Sequence, residues 1–337
     1  MSEFSMEVID DMASLGQMRE EWWDLWRRCP DATPFQCPAW LLPWWDAFAP
    51  GRLLVVVCRA QDRLVGLAPF YVEQTSGARR TLPLGISLSD YLDVLLDPEF
   101  SAEAAPALAA ELGRAASWDA LELCELASWA AALQLAAPAG CDATQDSSST
   151  CLVLPIGAAA DGIEQLLSSG MRRKLHLARN RAKRREHVEV RSATAGNVCE
   201  LLEVLIRLHS ARWHSRGEAG VFADPRVGRF HMQALPLLMQ VGLARMFGLC
   251  IDGHWAAVYY GFHHRRRAFA YLMGFDPAFA FESPGTLIVA HALQVALREG
   301  AQEFHFLRGE ESYKYRWGAE PRVNQRRIFR RQQARVA

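Results

Sequence analysis

The chain has 337 residues, 50% of them hydrophobic and 22% charged, which excludes a disordered or fibrous protein and suits two domains of about 150 residues each. The net charge of −1 conceals an asymmetry. Residues 1–160 carry 9 Lys/Arg against 22 Asp/Glu, and residues 161–337 carry 28 against 16. A basic half suits an anionic ligand or a face docked on the acidic half. Only Lys174, Lys183 and Lys314 are lysine, so Arg counts carry little weight and the lysines stand out. The eight cysteines are scattered without a CxxC pair or ligand spacing, which argues against zinc and disulfides and for thiols in a reducing cytosol. Met1–Asp10 lacks the pattern of a signal peptide, and no apolar run reaches membrane-spanning length. A cytoplasmic protein is expected.

In chain order, Ser14–Arg28 reads as an amphipathic helix with Leu15, Met18, Trp22 and Trp26 at helical spacing. Pro38 opens a helix through Phe48 that carries Trp40, Trp44 and Trp45 as core aromatics. Leu53–Cys58 and Leu64–Val72 form a hairpin, and Tyr91–Leu96 reads as a strand. Ala102–Ala116 is a helix, Ala120–Leu126 a strand and Ala127–Ala136 a helix. The polar stretch Thr144–Thr150 reads as a linker before the strand Cys151–Pro155.

The second half repeats the order. Asp161–Ser168 and the strongly basic Met171–Glu186 are helices, His187–Ala193 a strand, and Gly196–Arg216 and Pro225–Gln240 helices. Strands follow at Leu243–Ile251, Trp255–His263 and Ala268–Gly274, the first two joined by an Asp252-Gly253 turn. Thr286–Glu299 is a helix and Glu303–Leu307 a strand. Both halves thus read as helix, antiparallel strands, helix, strand. This is an α+β layout with the mark of an internal duplication, divided into 1–150 and 151–337.

Two features point to chemistry. Ser283-Pro284-Gly285 opens a long helix, with Ser283 as N-cap, Pro284 at the first helical position and Gly285 open to close approach. The N–H groups of Gly285, Thr286 and Leu287 are expected to face an anion such as phosphate. After the next strand comes Leu307-Arg-Gly-Glu-Glu-Ser-Tyr-Lys-Tyr-Arg-Trp-Gly318, which interleaves aromatic and charged side chains where strand ends gather sites. The basic run Arg172–Arg185 offers contact with an anionic acceptor, with a solvated face or the acidic half as the alternatives. It lacks the aromatic interleaving of a nucleic-acid interface, so nucleic acid is not an expected partner. Trp213, four residues after His209, lines an acceptor pocket or packs in the core.

The run Tyr271–Gly318, with Gly274-Phe-Asp-Pro277, Ser283-Pro-Gly285, Phe306-Leu-Arg-Gly-Glu310 and Tyr313-Lys-Tyr-Arg-Trp-Gly318, resembles GNAT-superfamily acyltransferases of the CelD type, associated with cellulose and exopolysaccharide biosynthesis. These are similar in turn to Fem-type aminoacyl transferases. Phe35-Gln36 with Pro38, Trp40 and Trp44-Trp45, and the basic helix from Met171, also resemble that family. The GNAT loop pattern Arg/Gln-x-x-Gly-x-Gly/Ala is absent from Phe275–Gly285.

The resemblance implies two tandem GNAT-like domains, each a mixed, mostly antiparallel sheet flanked by helices. The first would be structural or acceptor-shaping, and the second would bind acetyl-CoA or another acyl-CoA as co-substrate, without a metal. It implies that Tyr271, Leu272, Met273 and Gly274 pair with pantetheine and that Ser283, Gly285 and Thr286 hold the pyrophosphate. Amine attack on a thioester needs a base, oxyanion donors and an acid for the thiolate. Glu310 or Glu311 would be the base, Tyr313 the acid, and Lys314 a donor to the oxyanion or a substrate phosphate. Arg172, Lys174, Trp213 and Arg308 would meet the acceptor. The implied acceptor is an amine on a small molecule or glycan precursor, with polysaccharide-synthesis proteins as partners. Fem-like transfer from aminoacyl-tRNA and a degenerate scaffold are the alternatives.

Overall fold

The computed structural model describes residues 4–115, 117–157, 162–214 and 217–332. Contacts divide the chain into one unit of Met1–Ser149 with Val323–Ala337 and another of Thr150–Arg322. The predicted helix ends at Ala116 and Arg216, and the predicted helix start at Asp161, lie outside the described residues. With the C-terminal segment assigned to the first unit, that unit holds 14 Lys/Arg against 22 Asp/Glu and the second 23 against 16. The charge contrast keeps its sign but is smaller than a cut at residue 160 implies.

In the first unit, strand β1 (Phe4–Ile9) precedes helices α1 (Met12–Gln17), α2 (Arg19–Arg28) and α3 (Pro38–Phe48). The expected helix Ser14–Arg28 is therefore broken at Met18, which caps both pieces. Strands β2 (Arg52–Ala60), β3 (Arg63–Thr75), β4 (Ala78–Pro83) and the two-residue β5 (Leu95–Leu96) follow. Then come helix α4 (Ser101–Ala115) and strands β6 (Ala120–Leu126) and β7 (Cys141–Pro155). The sheet runs β1-β2-β3-β4-β6, antiparallel except for the parallel β4–β6 pair, with β5 beside β3. The indoles of Trp22, Trp40 and Trp118 are fully buried, and each donates to a protein oxygen, so their burial leaves no N–H unsatisfied.

Three expectations fail here for identifiable reasons. The linker Thr144–Thr150 is strand, because Ser148 and Ser149 donate to Glu125 and the strand runs on through Cys151. Most of Tyr91–Leu96 is not strand: the Asp93 carboxylate instead accepts from Val94, Ala131 and Ala132 N–H at 2.7–2.9 Å. That same carboxylate holds Ala131–Gln134 as a short 3₁₀ turn where a full helix Ala127–Ala136 is expected.

The second unit begins with the last residues of β7. Helix α5 (Ser169–Ala182), strand β8 (Val188–Ser192), and helices α6 (Val198–His214) and α7 (Pro225–Gln240) lead to strands β9 (Ala244–Ile251), β10 (His254–His264) and β11 (Arg267–Phe275). Helix α8 (Pro284–Arg298), strand β12 (Glu303–Arg308), the short α9 (Ser312–Arg316) and strand β13 (Glu320–Arg331) complete it. The sheet order is β7-β12-β11-β10-β9-β8, antiparallel except for β11 with β12. Each unit is thus a mixed, mostly antiparallel sheet flanked by helices, in one repeated order of elements. From Val323 onward β13 belongs to the first unit, where it pairs antiparallel with β6. Among the described residues no helix is long and apolar enough to cross a membrane.

Candidate active site

Strands β11 and β12 pair only over Arg267–Phe269 with Glu303–His305. Beyond that, β11 stays paired with β10 through Phe275, but its other edge has no strand partner among the described residues. The divergence opens a cleft of about 460 Å³. Its wall is built from Met273 and Phe275 of β11, Ser283–Thr286 at the start of α8, and Tyr313 and Arg316 of α9. Lys174 of α5 and Arg212 of α6 add two more cations.

Helix α5 lies at the cleft because Met171, Leu175, Ala178 and Ala182 recur on one face and are all buried. Ser168 caps it, accepting from Met171 N–H at 3.2 Å. Lys174 falls just off the buried stripe. Partial desolvation and the neighbouring Arg316 lower its ammonium pKa from the ordinary value. The Arg212 guanidinium sits over the Phe275 ring at 4.8 Å. Nothing in the arginine-rich sequence singles out Arg212. Arg316 lies inside the Tyr-Lys-Tyr-Arg motif, and its place in the cleft wall is set by α9.

The start of α8 differs from the expected cap. Ser283 is the N-cap residue but has φ 56°, and its side chain makes no capping hydrogen bond. Thr286 and Leu287 N–H both donate to Ser283 O, at 2.9 and 3.3 Å, so two of the three expected anion donors are engaged in the first turn. Gly285 sits at the second helical position, where no ladder bond is due. The preceding loop is pinned from below by the buried Glu282, which accepts from Arg185 Nε at 2.8 Å.

The motif after β12 divides its residues sharply. Leu307 takes φ 61° at a bulge against β7, and Gly309 takes φ 100°. At that φ an L side chain is strained, which favours glycine there; the 2.6 Å approach of an added Cβ to Glu311 Oε2 would be relieved by a shift of that flexible side chain. This turn aims three successive carbonyls at one ammonium: Lys314 Nζ donates to Leu307, Arg308 and Gly309 O at 3.4, 2.5 and 3.1 Å. Glu311 Oε2 lies 2.9 Å from the same Nζ. Lys314 is 3% exposed and does not line the cleft. The expected oxyanion donor is therefore occupied in holding the loop.

Glu310 is also outside the cleft wall; it is exposed and accepts from Tyr315 O–H at 2.8 Å. Of the two candidate carboxylates, Glu311 lines the cleft. Tyr313 lines it too, packed edge-on against Phe306, and burial, with Glu311 nearby, pushes its phenol up to about 12.

Several side chains of the predicted set point away from the cleft, although the backbone edge of Tyr271–Gly274 stays free of β12. The Tyr271 ring packs against His231, Tyr260 and Phe262, because Tyr271 is the extra residue of a bulge opposite Tyr260–Gly261. Leu272 pairs with Tyr260 in the sheet. Gly274 faces α6 closely: an added Cβ would be 2.8 Å from His209 N. Of the four predicted pantetheine partners, Met273 alone lines the cleft with its side chain. Trp213 donates to His209 Nε2 at 2.8 Å, and Arg172 and Arg308 are likewise absent from the cleft wall. The cleft thus brings together Lys174, Met273, Ser283, Gly285, Thr286, Glu311 and Tyr313 of the predicted set, and adds Arg212 and Arg316.

Residues 169–315 match the family model described as an acetyltransferase (GNAT) domain. That match covers under half of the chain, and the splayed β11–β12 pair lies inside the matched segment. Similarity in fold extends further. The crystal structure of FemX matches with a TM-score of 0.67 at 11% identity, over 95% of this chain and 96% of that one. A conserved protein of unknown function from Bacteroides thetaiotaomicron matches at 0.60 and 12%, over 98% and 100%. L-PGS from Bacillus licheniformis matches at 0.55 and 11%, over 93% and 91%. No curated protein sequence matches the chain.

Proposed function

We propose that the second unit is an acyl-CoA-dependent N-acyltransferase, with acetyl-CoA or a longer acyl-CoA as donor and an amine acceptor. The observation that carries this reading is the cleft between the diverging strands, where the start of α8, three cations and Tyr313 meet. The free edge of β11 at Ala270–Phe275 supplies backbone groups for the amide-bearing pantetheine arm. Ser283, Gly285 and Thr286, with Lys174, Arg212 and Arg316 around them, suit the pyrophosphate.

In this reading the neutral amine attacks the thioester carbonyl carbon, the C–N bond forms and the C–S bond breaks. Glu311 takes the amine proton through water. Tyr313 stays a neutral donor, because its raised pKa lies well above that of a thiol at about 8.5; it hydrogen-bonds the departing thiolate. Lys314 acts as a positioning residue through the loop it holds. The resemblance of Tyr271–Gly318 to CelD-type proteins supports an amino-sugar, exopolysaccharide or cell-envelope precursor as acceptor, and a cytoplasmic location where acyl-CoA is available. The first unit then shapes the acceptor side or the scaffold.

Calorimetric titration with acetyl-CoA, longer acyl-CoAs and CoA tests the donor. Saturable binding is expected, and none with any of the three sinks the reading. Binding of an aminoacyl-tRNA in their place would favour aminoacyl transfer. With an acceptor in hand, Tyr313→Phe should lower kcat about 100-fold with CoA affinity unchanged, read as thiol release.

A further inference from the structure

Helix α5 carries far more positive charge than the fold uses. Eight of the fourteen residues 172–185 are Lys or Arg, and the segment contains no acid. Arg172 closes the first turn of α5, where the macrodipole disfavours a cation, while Arg179 and Arg181 in the last turn complement it; like charges recur at i,i+4 spacing in Arg179/Lys183 and Arg181/Arg185. Arg179 pairs with Glu164 and Arg185 with Glu282, whereas Arg172, Arg173, Lys174, Lys183 and Arg184 form no ion pair among the described residues. A run of like charge this dense, with most of its eight cations unmatched by an ion pair among the described residues, points outward, to an extended anionic surface.

What surrounds the charge tells which kind. Leu177 on α5 is 46% exposed, and Phe281, in the loop before α8, is 56% exposed. They border one another through Arg181, one helical turn after Leu177, whose guanidinium lies 4.5 Å over the Phe281 ring and donates to Phe281 O at 2.9 Å. On the helix's other flank, Lys183 and the half-exposed Val188 line an apolar groove of about 460 Å³. Exposed aliphatic and aromatic side chains set among unpaired cations match the headgroup–acyl boundary of a bilayer. A soluble polyanion such as RNA would leave Leu177 without a purpose.

We propose that α5 and the Phe281 loop form a docking surface for an anionic lipid bilayer, which would bring the neighbouring cleft to membrane-borne acceptors. The docking does not depend on the identity of the acyl donor. The experiment is flotation of the full chain with vesicles of phosphatidylcholine alone or mixed with phosphatidylglycerol. Binding to the mixed vesicles only, weakened by salt, is expected. Leu177→Glu/Phe281→Glu and Arg173→Glu/Arg184→Glu should each reduce partitioning about tenfold or more, while circular dichroism stays unchanged. Leu177→Glu alone should weaken docking without altering CoA titration, which separates this surface from the donor site. Competition by glycerol phosphate that abolishes flotation would mean headgroup capture rather than surface docking, and would overturn the proposal. So would tight RNA binding insensitive to Leu177→Glu, or equal flotation of wild type and both double variants.

Discussion

At Lys314, one ammonium satisfies three carbonyls that a left-handed Leu307 and Gly309 turn inward, and the loop carrying Glu311 and Tyr313 depends on that knot. Lys314→Met keeps the bulk but leaves the carbonyls unsatisfied. It should cost about 3 kcal/mol in urea unfolding, and an unchanged midpoint would remove Lys314 from this structural role. Asp93 is a second residue with a measurable consequence. Burial, opposed by the amides of Ala132, Ala131 and Val94 and reinforced by Asp31, raises its carboxyl to about 7. A raised carboxyl favours the protonated fold, so this contribution is complete below the unfolded value of about 3.9 and is lost as pH rises toward 7. Stability of the wild type relative to Asp93→Asn should therefore fall by about 3 kcal/mol between pH 4 and 7 and level off above pH 7. A flat difference across that range would place the titration elsewhere.

At the scale of elements, the start of α8 and the splay of β11 from β12 make the cleft, and Gly285 tests whether backbone approach matters there. A Cβ at Gly285 would meet Phe275 Cδ1 at 3.6 Å, an ordinary contact, and φ is not in the left-handed region. Gly285→Ala should therefore leave stability within about 0.5 kcal/mol. If phosphate sits against this turn, CoA should bind about tenfold more weakly by calorimetry; equal affinity would move the phosphate site off α8. The same scale explains which elements were legible. α7 is framed by Asp224 capping and Pro225 at the first position, signals that act within a few residues. β13 (Glu320–Arg331) went unseen because a Glu-Pro-Arg-Val-Asn-Gln-Arg-Arg run has no strand-like alternation of its own; its partner β6 supplies the pairing.

At the scale of the whole molecule, the C-terminal strand belongs to the unit that begins the chain. Phe329 is fully buried in the first unit's core with Trp118, Leu121 and Leu123. Phe329→Ala should cost about 3–5 kcal/mol. Hydrogen exchange should report the loss at β6 amides of the first unit more than at β12 amides of the second. Equal loss in both would show that the two units unfold together.

The sequence by itself determined the repeated order of helices and strands, the antiparallel hairpins, the apolar face of α5 and the Ser-Pro-Gly start of α8. Each of these is written in the spacing of apolar residues or in caps a few residues long, and local physics reads them. It also carried the two segments that the cleft joins, Tyr271–Thr286 and Leu307–Gly318, as a resemblance. Only the tertiary structure decided which side chains of those segments face the cleft. Neighbouring positions parted there: Glu311 from Glu310, Tyr313 from Lys314, Arg212 from Trp213, Met273 from Tyr271. The reason is geometric. A bulge at Tyr271, a left-handed Leu307 and a 3₁₀ approach to α8 each redirect side chains over one or two residues; the first is set by the register with β10, the second by pairing with the sequence-distant β7, and the third opens on the Asp276 cap and Pro277.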